Sequence, residues 1–206
     1  FNKEVAIEKF KKLAANGTAV VPTINGSYKT TYLDQFDFSK DAYLNYLGPA
    51  LKRTYDWRIQ RAANDNSEAI QFRHANFEAG ANLLPLLYKA GVTILAGTDA
   101  GYLNSYNYPG LGMHEELEIM VKYGLTPQEA LICSLLNGPA FFGLQNEYGA
   151  VAANKHADLL ILTANPLEDI QNTKEIFSFI KKGVYLDRKY LDMLLEQVKQ
   201  EISKLK

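Results

Sequence analysis

Apolar residues recur at helical spacing from the start of the chain, where Val5, Phe10, Leu13 and Ala14 share one face. Asn2 can cap this helix and Gly17 can end it. Thr18-Ala19-Val20-Val21-Pro22-Thr23 then reads as a short β-branched strand stopped by proline. Residues 24–39 are rich in Tyr, Thr and Gly and keep no period, which predicts a long loop, and loops of that length are often functional. Helical patterning resumes over residues 41–89 and breaks at Asn64-Asp65-Asn66-Ser67, so two helices are expected. Ser67 is the expected cap of the second, and Pro85 should kink it or begin a separate turn. Gly91 closes it and an apolar strand over residues 92–96 follows. The crossover between the two strands is long enough for parallel pairing, so adjacent parallel strands of an α/β sheet or barrel are the simplest account.

A loop rich in tyrosine and glycine leads to His114-Glu115-Glu116-Leu117-Glu118-Ile119-Met120, whose acidic residues should favour the positive end of a helix. Gly124 ends that helix. Thr126-Pro127-Gln128-Glu129 starts the next with a capping threonine, proline at the first helical position and a reciprocal glutamate. Asn137-Gly138-Pro139 stops it, and a brief turn through Phe141 and Phe142 closes at Gly143. Beyond Leu144 the texture becomes β-rich. Leu159-Leu160-Ile161-Leu162 is an apolar strand, and Ile176-Phe177-Ser178-Phe179-Ile180 and Val184-Tyr185-Leu186 flank Lys181-Lys182-Gly183 as a hairpin. A final helix from about Arg188 carries Leu191, Leu194, Leu195, Val198, Ile202 and Leu205 on one stripe, which must cover something in this chain or a partner.

Composition narrows the class. A formal net charge of −1 over 206 residues gives no electrostatic reason to expect nucleic acid or anionic lipid as partner. No apolar run approaches the roughly 20 residues of a membrane-spanning helix. The lone Cys133 excludes an internal disulfide and a cysteine-based metal site, and its place on an apolar helix face suits a small core residue. The chain opens on Phe1, inside what reads as a helix, so its native N-terminus is expected to lie further upstream.

Chemistry concentrates at Asp99. The strand pattern runs directly into Gly97-Thr98-Asp99-Ala100-Gly101, which puts a carboxylate where a buried strand gives way to a flexible loop, the place α/β enzymes use for catalysis. Taken alone, such an aspartate can equally stabilise a turn through nearby backbone amides.

The order of motifs decides between these. The strand ending in Gly-Thr-Asp-Ala-Gly, the His-Glu-Glu-Leu-Glu helix, Gly124-Leu125-Thr126-Pro127-Gln128-Glu129-Ala130-Leu131, Asn137-Gly138-Pro139-Ala140, and Gly149 through Lys155-His156-Ala157-Asp158-Leu159-Leu160-Ile161-Leu162 with Asn165-Pro166-Leu167 together resemble the metal-dependent amidohydrolase superfamily. The narrower resemblance is to its imidazolonepropionase-like and prolidase-like branch, strong over residues 91–187 and looser upstream, where Val20-Val21-Pro22-Thr23 resembles the preceding barrel strand. It implies an α/β fold: the C-terminal portion of a (β/α)8 TIM-type barrel, about the last two strands and their helices, over residues 1–145. Part of a small β-sandwich lobe over 146–187 and a C-terminal amphipathic helix over 188–206 complete it.

The resemblance further implies hydrolysis of a C–N bond in an amide, cyclic imide or amidine, or small peptide, by water activated on one or two divalent ions, zinc first among them. Asp99 matches the aspartate that holds the metal and carries the proton of the attacking water. The family's other ligands, a His-X-His, a lysine or glutamate and two further histidines, have no counterpart here, since His74, His114 and His156 show no metal-ligand spacing. The chain is therefore expected to be a C-terminal segment, inactive alone, that pairs with the missing N-terminal segment or with copies of itself. A non-catalytic binding or assembly module that kept the barrel-end sequence is the alternative.

His114 follows the loop from Asp99 and can contact a substrate carboxylate or leaving group, or merely cap its helix. His74 reads as a surface or helix-packing residue and His156 as part of a turn. Tyr28, Tyr32, Tyr102, Tyr106 and Tyr108 can line a substrate mouth or pack on neighbours.

Overall fold

Two short parallel strands, Ala19–Val20 (β1) and Thr93–Ile94 (β2), anchor the first part of the molecule, with Ala19 opposite Thr93 and Val20 opposite Ile94. The computed structural model describes residues 2–101 and 103–205, so the expectation for Tyr102 lies outside the described residues. Both strands are shorter than their apolar runs. The amide of Leu95 still donates to the Val20 carbonyl at 2.9 Å, but Pro22 has no amide to extend the ladder. The edge of β2 facing away from β1 is taken up locally: Asn137 Nδ2 donates to the Ile94 carbonyl at 2.8 Å, and the Ala96 amide donates to the Cys133 carbonyl at 3.0 Å.

Helix Lys3–Ala15 (α1) precedes β1 and is capped by the Asn2 side chain, as its sequence requires. Residues 24–39 depart from expectation, because Ile24–Thr31 (α2) is helical rather than loop. Its sequence is a poor helix former and Thr23, at the cap position, makes no side-chain cap. The cap comes instead from Glu116, 92 residues away, so tertiary contact overrides local propensity. A 3-10 turn over Ala42–Tyr46 leads into Pro49–Ala63 (α3), Ser67–Ala81 (α4) and Leu84–Lys89 (α5). The cap of α4 is Asn66 rather than Ser67, its side chain accepting from the Ala69 amide at 2.9 Å. Pro85 begins a separate short helix.

Leu111–Lys122 (α6) starts three residues before His114, which moves Glu115 and Glu116 out of the first turn. Its apolar face closes a core in which Ile94 and Met120 are fully buried beside Leu84, Ala130 and Cys133. Pro127–Leu135 (α7) carries the expected capping box between Thr126 and Glu129, and Asn137–Phe141 (α8) follows. We expect Thr126→Ala to lower unfolding free energy by about 1 kcal/mol, read by urea denaturation; no change would mean that the box caps nothing of consequence.

The remaining strands, Leu159–Leu162 (β3), Ile176–Lys181 (β4) and Val184–Leu186 (β5), form an antiparallel sheet in the order β3-β4-β5. Lys182 and Gly183 turn the expected hairpin with φ of +50° and +80°, the left-handed pair that matches strand twist. Arg188–Ser203 (α9) ends the chain as expected, and the Cδ1 atoms of Ile202 and Leu205 approach Gly48. Much of its apolar stripe, including Leu195 and Val198, stays exposed.

Candidate active site

Asp99 lies five residues past β2, at the carboxyl end of the parallel pair, and is exposed. Gly97 permits this path, since a Cβ there would stand 2.6 Å from Val21 Cγ1 on the neighbouring strand segment. The chain then enters the left-handed region at Asp99, with φ of +50°. Asn104 grips the residue twice, donating to the main-chain carbonyl and, at 2.9 Å, to Oδ2. Oδ1 accepts no hydrogen bond among the described residues. One carboxylate oxygen is thus held and the other is open.

Behind this loop lies a buried polar network. Asn107, fully buried, donates through Nδ2 to the Thr98 carbonyl at 2.5 Å and accepts through Oδ1 from Asn25 at 3.1 Å. Asn25 also donates to Glu115 Oε2 at 3.0 Å, and the same oxygen takes the Lys29 ammonium at 2.7 Å. Lys29 donates further to the Tyr106 carbonyl at 2.7 Å and sits over the rings of Tyr108 and Phe38. Next to Glu115, Glu116 is completely buried and accepts the amides of Ile24 at 2.9 Å and Asn25 at 2.7 Å, one on each oxygen. Burial pushes its pKa up to about 7, against the pull of those two amides, which favour the ionised form.

The sequence offered little warning of this network. Asn25, Lys29 and Asn107 sit in stretches without periodicity, and only the placing of Glu116 one helical turn from Gly112 and Met120, on the buried face of α6, hints that it points inward. The expected site residues are not brought together by a direct bond: Asp99 and His114 share no hydrogen bond among the described residues. His114 is partly buried on α6. Burial and the nearby Lys174 ammonium lower its pKa, opposed by Glu118 and Glu115, so the imidazole is neutral at pH 7. His74 packs on Tyr32 and meets Asp34 at 2.9 Å, and His156 stacks on Tyr148 beside Glu147 in the expected turn. Tyr106 and Tyr108 are buried in a second aromatic cluster, while Tyr28 and Tyr32 pack on Phe77.

Asp99 with its open oxygen suits one position on a divalent ion. A catalytic zinc site takes about three protein ligands, and among the described residues no three His, Cys, Asp or Glu side chains are grouped to hold an ion. The donors among the described residues therefore do not make up a complete metal site, and no catalytic step is derived through one.

Comparison with known proteins supplies the context. A model of the amidohydrolase family matches residues 20–186. Ochratoxinase of Aspergillus niger is 38% identical over 89 residues, which are 42% of this chain and 17% of the relative. A bottromycin amidohydrolase superposes with a TM-score of 0.75 at 20% identity, over 90% of this chain and 40% of its own. A Xaa-Pro dipeptidase with bound methionine in its active site does so with a TM-score of 0.62 at 21% identity, over 87% of this chain and 37% of its own. At those identities the two superpositions establish the α/β fold alone. This chain spans less than half the length of each of these relatives.

Proposed function

Because the chain belongs to the amidohydrolase family, we propose that it forms the last two strands of a (β/α)8 barrel in a metal-dependent hydrolase that cleaves amide, cyclic imide or amidine, or small-peptide C–N bonds. Residues 1–145 would be the barrel part, 146–187 part of the appended β lobe and 188–206 the covering helix. The observation that carries this reading is Asp99, which follows the carboxyl end of a parallel strand by five residues, within the family match, with one carboxylate oxygen held by Asn104 and the other open. Its role is to take the proton of the attacking water and return it to the leaving nitrogen. It also supplies one metal ligand, with zinc as the ion of this reading and the remaining donors contributed from outside these residues. His114, neutral at pH 7 and partly buried, is the group that meets the substrate, a small amide or peptide.

Exposed apolar side chains support a covering partner. Along α9, Leu194, Leu195 and Val198 stand three and four residues apart on one face and are 37%, 47% and 43% exposed, a continuous apolar stripe of the kind that marks a contact surface. The occupant of this reading is the rest of the barrel or a second copy of the chain.

Metal content tests the division of ligands. The 206-residue chain is expected to retain no stoichiometric zinc after dialysis, as read by plasma mass spectrometry. Zinc and amide hydrolysis should appear together when an upstream segment bearing the other ligands is joined to it. One tightly held zinc per isolated chain would overturn that division.

A further inference from the structure

We propose that Asn107 is a positioning residue that fixes the backbone on which Asp99 is presented, with Asn25, Glu115 and Lys29 as its anchor; this rests on the role proposed above for Asp99 and deepens it. The argument starts from the two rotatable backbone angles of Asp99. One lies between its Cα and the rigid peptide plane containing the Thr98 carbonyl, the other between Cα and the plane containing its own carbonyl. Asn107 holds the first plane through the Thr98 carbonyl, and Asn104 holds the second through the Asp99 carbonyl. With both planes tied, the residue has no free backbone rotation, and Asn104 then orients the carboxylate itself.

Such restraint has something to oppose. A left-handed conformation is unfavourable for a residue that carries a Cβ, and strain of that kind persists only where surrounding structure over-determines it. Asn107 is well made for the task. Its amide faces a carbonyl that needs a donor and its oxygen faces the Asn25 amide, so both polar ends are used in a site closed to solvent. An aspartate would aim a second oxygen at the Thr98 carbonyl, and an apolar residue would take away that carbonyl's donor and leave one N–H of the buried Asn25 amide without an acceptor.

The cradle around it is equally specific. A Cβ on Gly112 would overlap Asn107 Oδ1, and one on Gly26 would stand 2.9 Å from Nδ2. Two glycines from α2 and α6 therefore leave room for this one side chain. Beyond Asn25 the network runs through Glu115 and Lys29 back to the Tyr106 carbonyl, on the residue just before Asn107. The strut is tied at its own base.

The test is a set of double-variant cycles in the hydrolase that contains this chain together with its metal ligands. Asn107→Asp changes the chemistry of the strut, whereas Gly112→Ala displaces it and leaves its chemistry intact. Each is expected to lower kcat about tenfold, the scale seen when a supporting partner of a catalytic group is lost, with KM within about twofold. Combined, they should cost no more than the larger alone, as contacts in one network do. In an Asp99→Asn background neither should reduce the residual rate further. If Asn107→Asp does not fold, Gly26→Ala carries the same test in a milder form. Wild-type kcat in all three variants, or losses that multiply with that of Asp99→Asn, would overturn the positioning role while leaving Asp99's own role standing. An unchanged rate in Asp99→Asn alone would overturn that role and the proposal with it.

Discussion

Asp99→Asn is expected to lower kcat of the hydrolase containing this chain by at least about a hundredfold, the low end for loss of a general acid–base group, with little change in stability. The two halves of this expectation have separate causes. Asparagine has nearly the same shape, accepts the left-handed conformation at least as readily as aspartate, and can present its own oxygen to Asn104 Nδ2 in place of Oδ2. Because the position is exposed, the change should move unfolding free energy by no more than about 0.5 kcal/mol. An amide, however, cannot take a proton from water at neutral pH. A hundredfold loss corresponds to about 2.7 kcal/mol in the barrier, and under the role proposed for Asp99 the loss of a metal donor would add to it. Initial rates and thermal unfolding on the same preparations separate the effects. An unchanged kcat would show that Asp99 carries no proton, and a collapsed melting profile would show that the residue is structural.

What could be read from the sequence depended on how far apart the interacting residues lie. The Thr126–Glu129 capping box and the turn at Lys182 and Gly183 are set by neighbours within a few positions and stand as expected, while the strand leading to Asp99 is present but shorter than its apolar run. The family was legible for a different reason. Five short motifs in one order, with Gly-Thr-Asp-Ala-Gly first, identified the amidohydrolases, and the match over residues 20–186 bears this out. Helix α2 escaped because its N-terminal amides are satisfied across 91 and 92 residues of chain. Asn25, Lys29 and Asn107 escaped with it, since nothing near them in sequence distinguishes a buried strut from a polar loop. The cap of α4 moved by one residue for a smaller reason: Asn66 and Ser67 are both good caps, and Asn66 took the role.

Glu116 carries the second large effect. Glu116→Ala is expected to lower unfolding free energy by about 2–4 kcal/mol at pH 5, because it removes both acceptors for the first amides of α2 and leaves two buried donors unpaired, each costing about 1–3 kcal/mol. The relief of no longer burying an ionisable group offsets part of that sum. This offset depends on pH, with a definite sign. The folded pKa, about 7, lies above the unfolded carboxyl value, so folding binds a proton between the two. The associated stability is complete below the unfolded pKa and is lost as pH rises through about 7. His114 titrates in the opposite sense, since its lowered folded pKa makes stability fall as pH drops through the ordinary histidine range. The clean measurement is therefore the difference between wild type and Glu116→Gln, in which His114 cancels. That difference should shrink from pH 5 to pH 8 in urea titrations, as wild type loses the contribution of its protonated carboxyl and the glutamine variant has none to lose. A difference that stays level from pH 5 to pH 8 would mean the two amides of α2 outweigh burial and keep Glu116 ionised throughout.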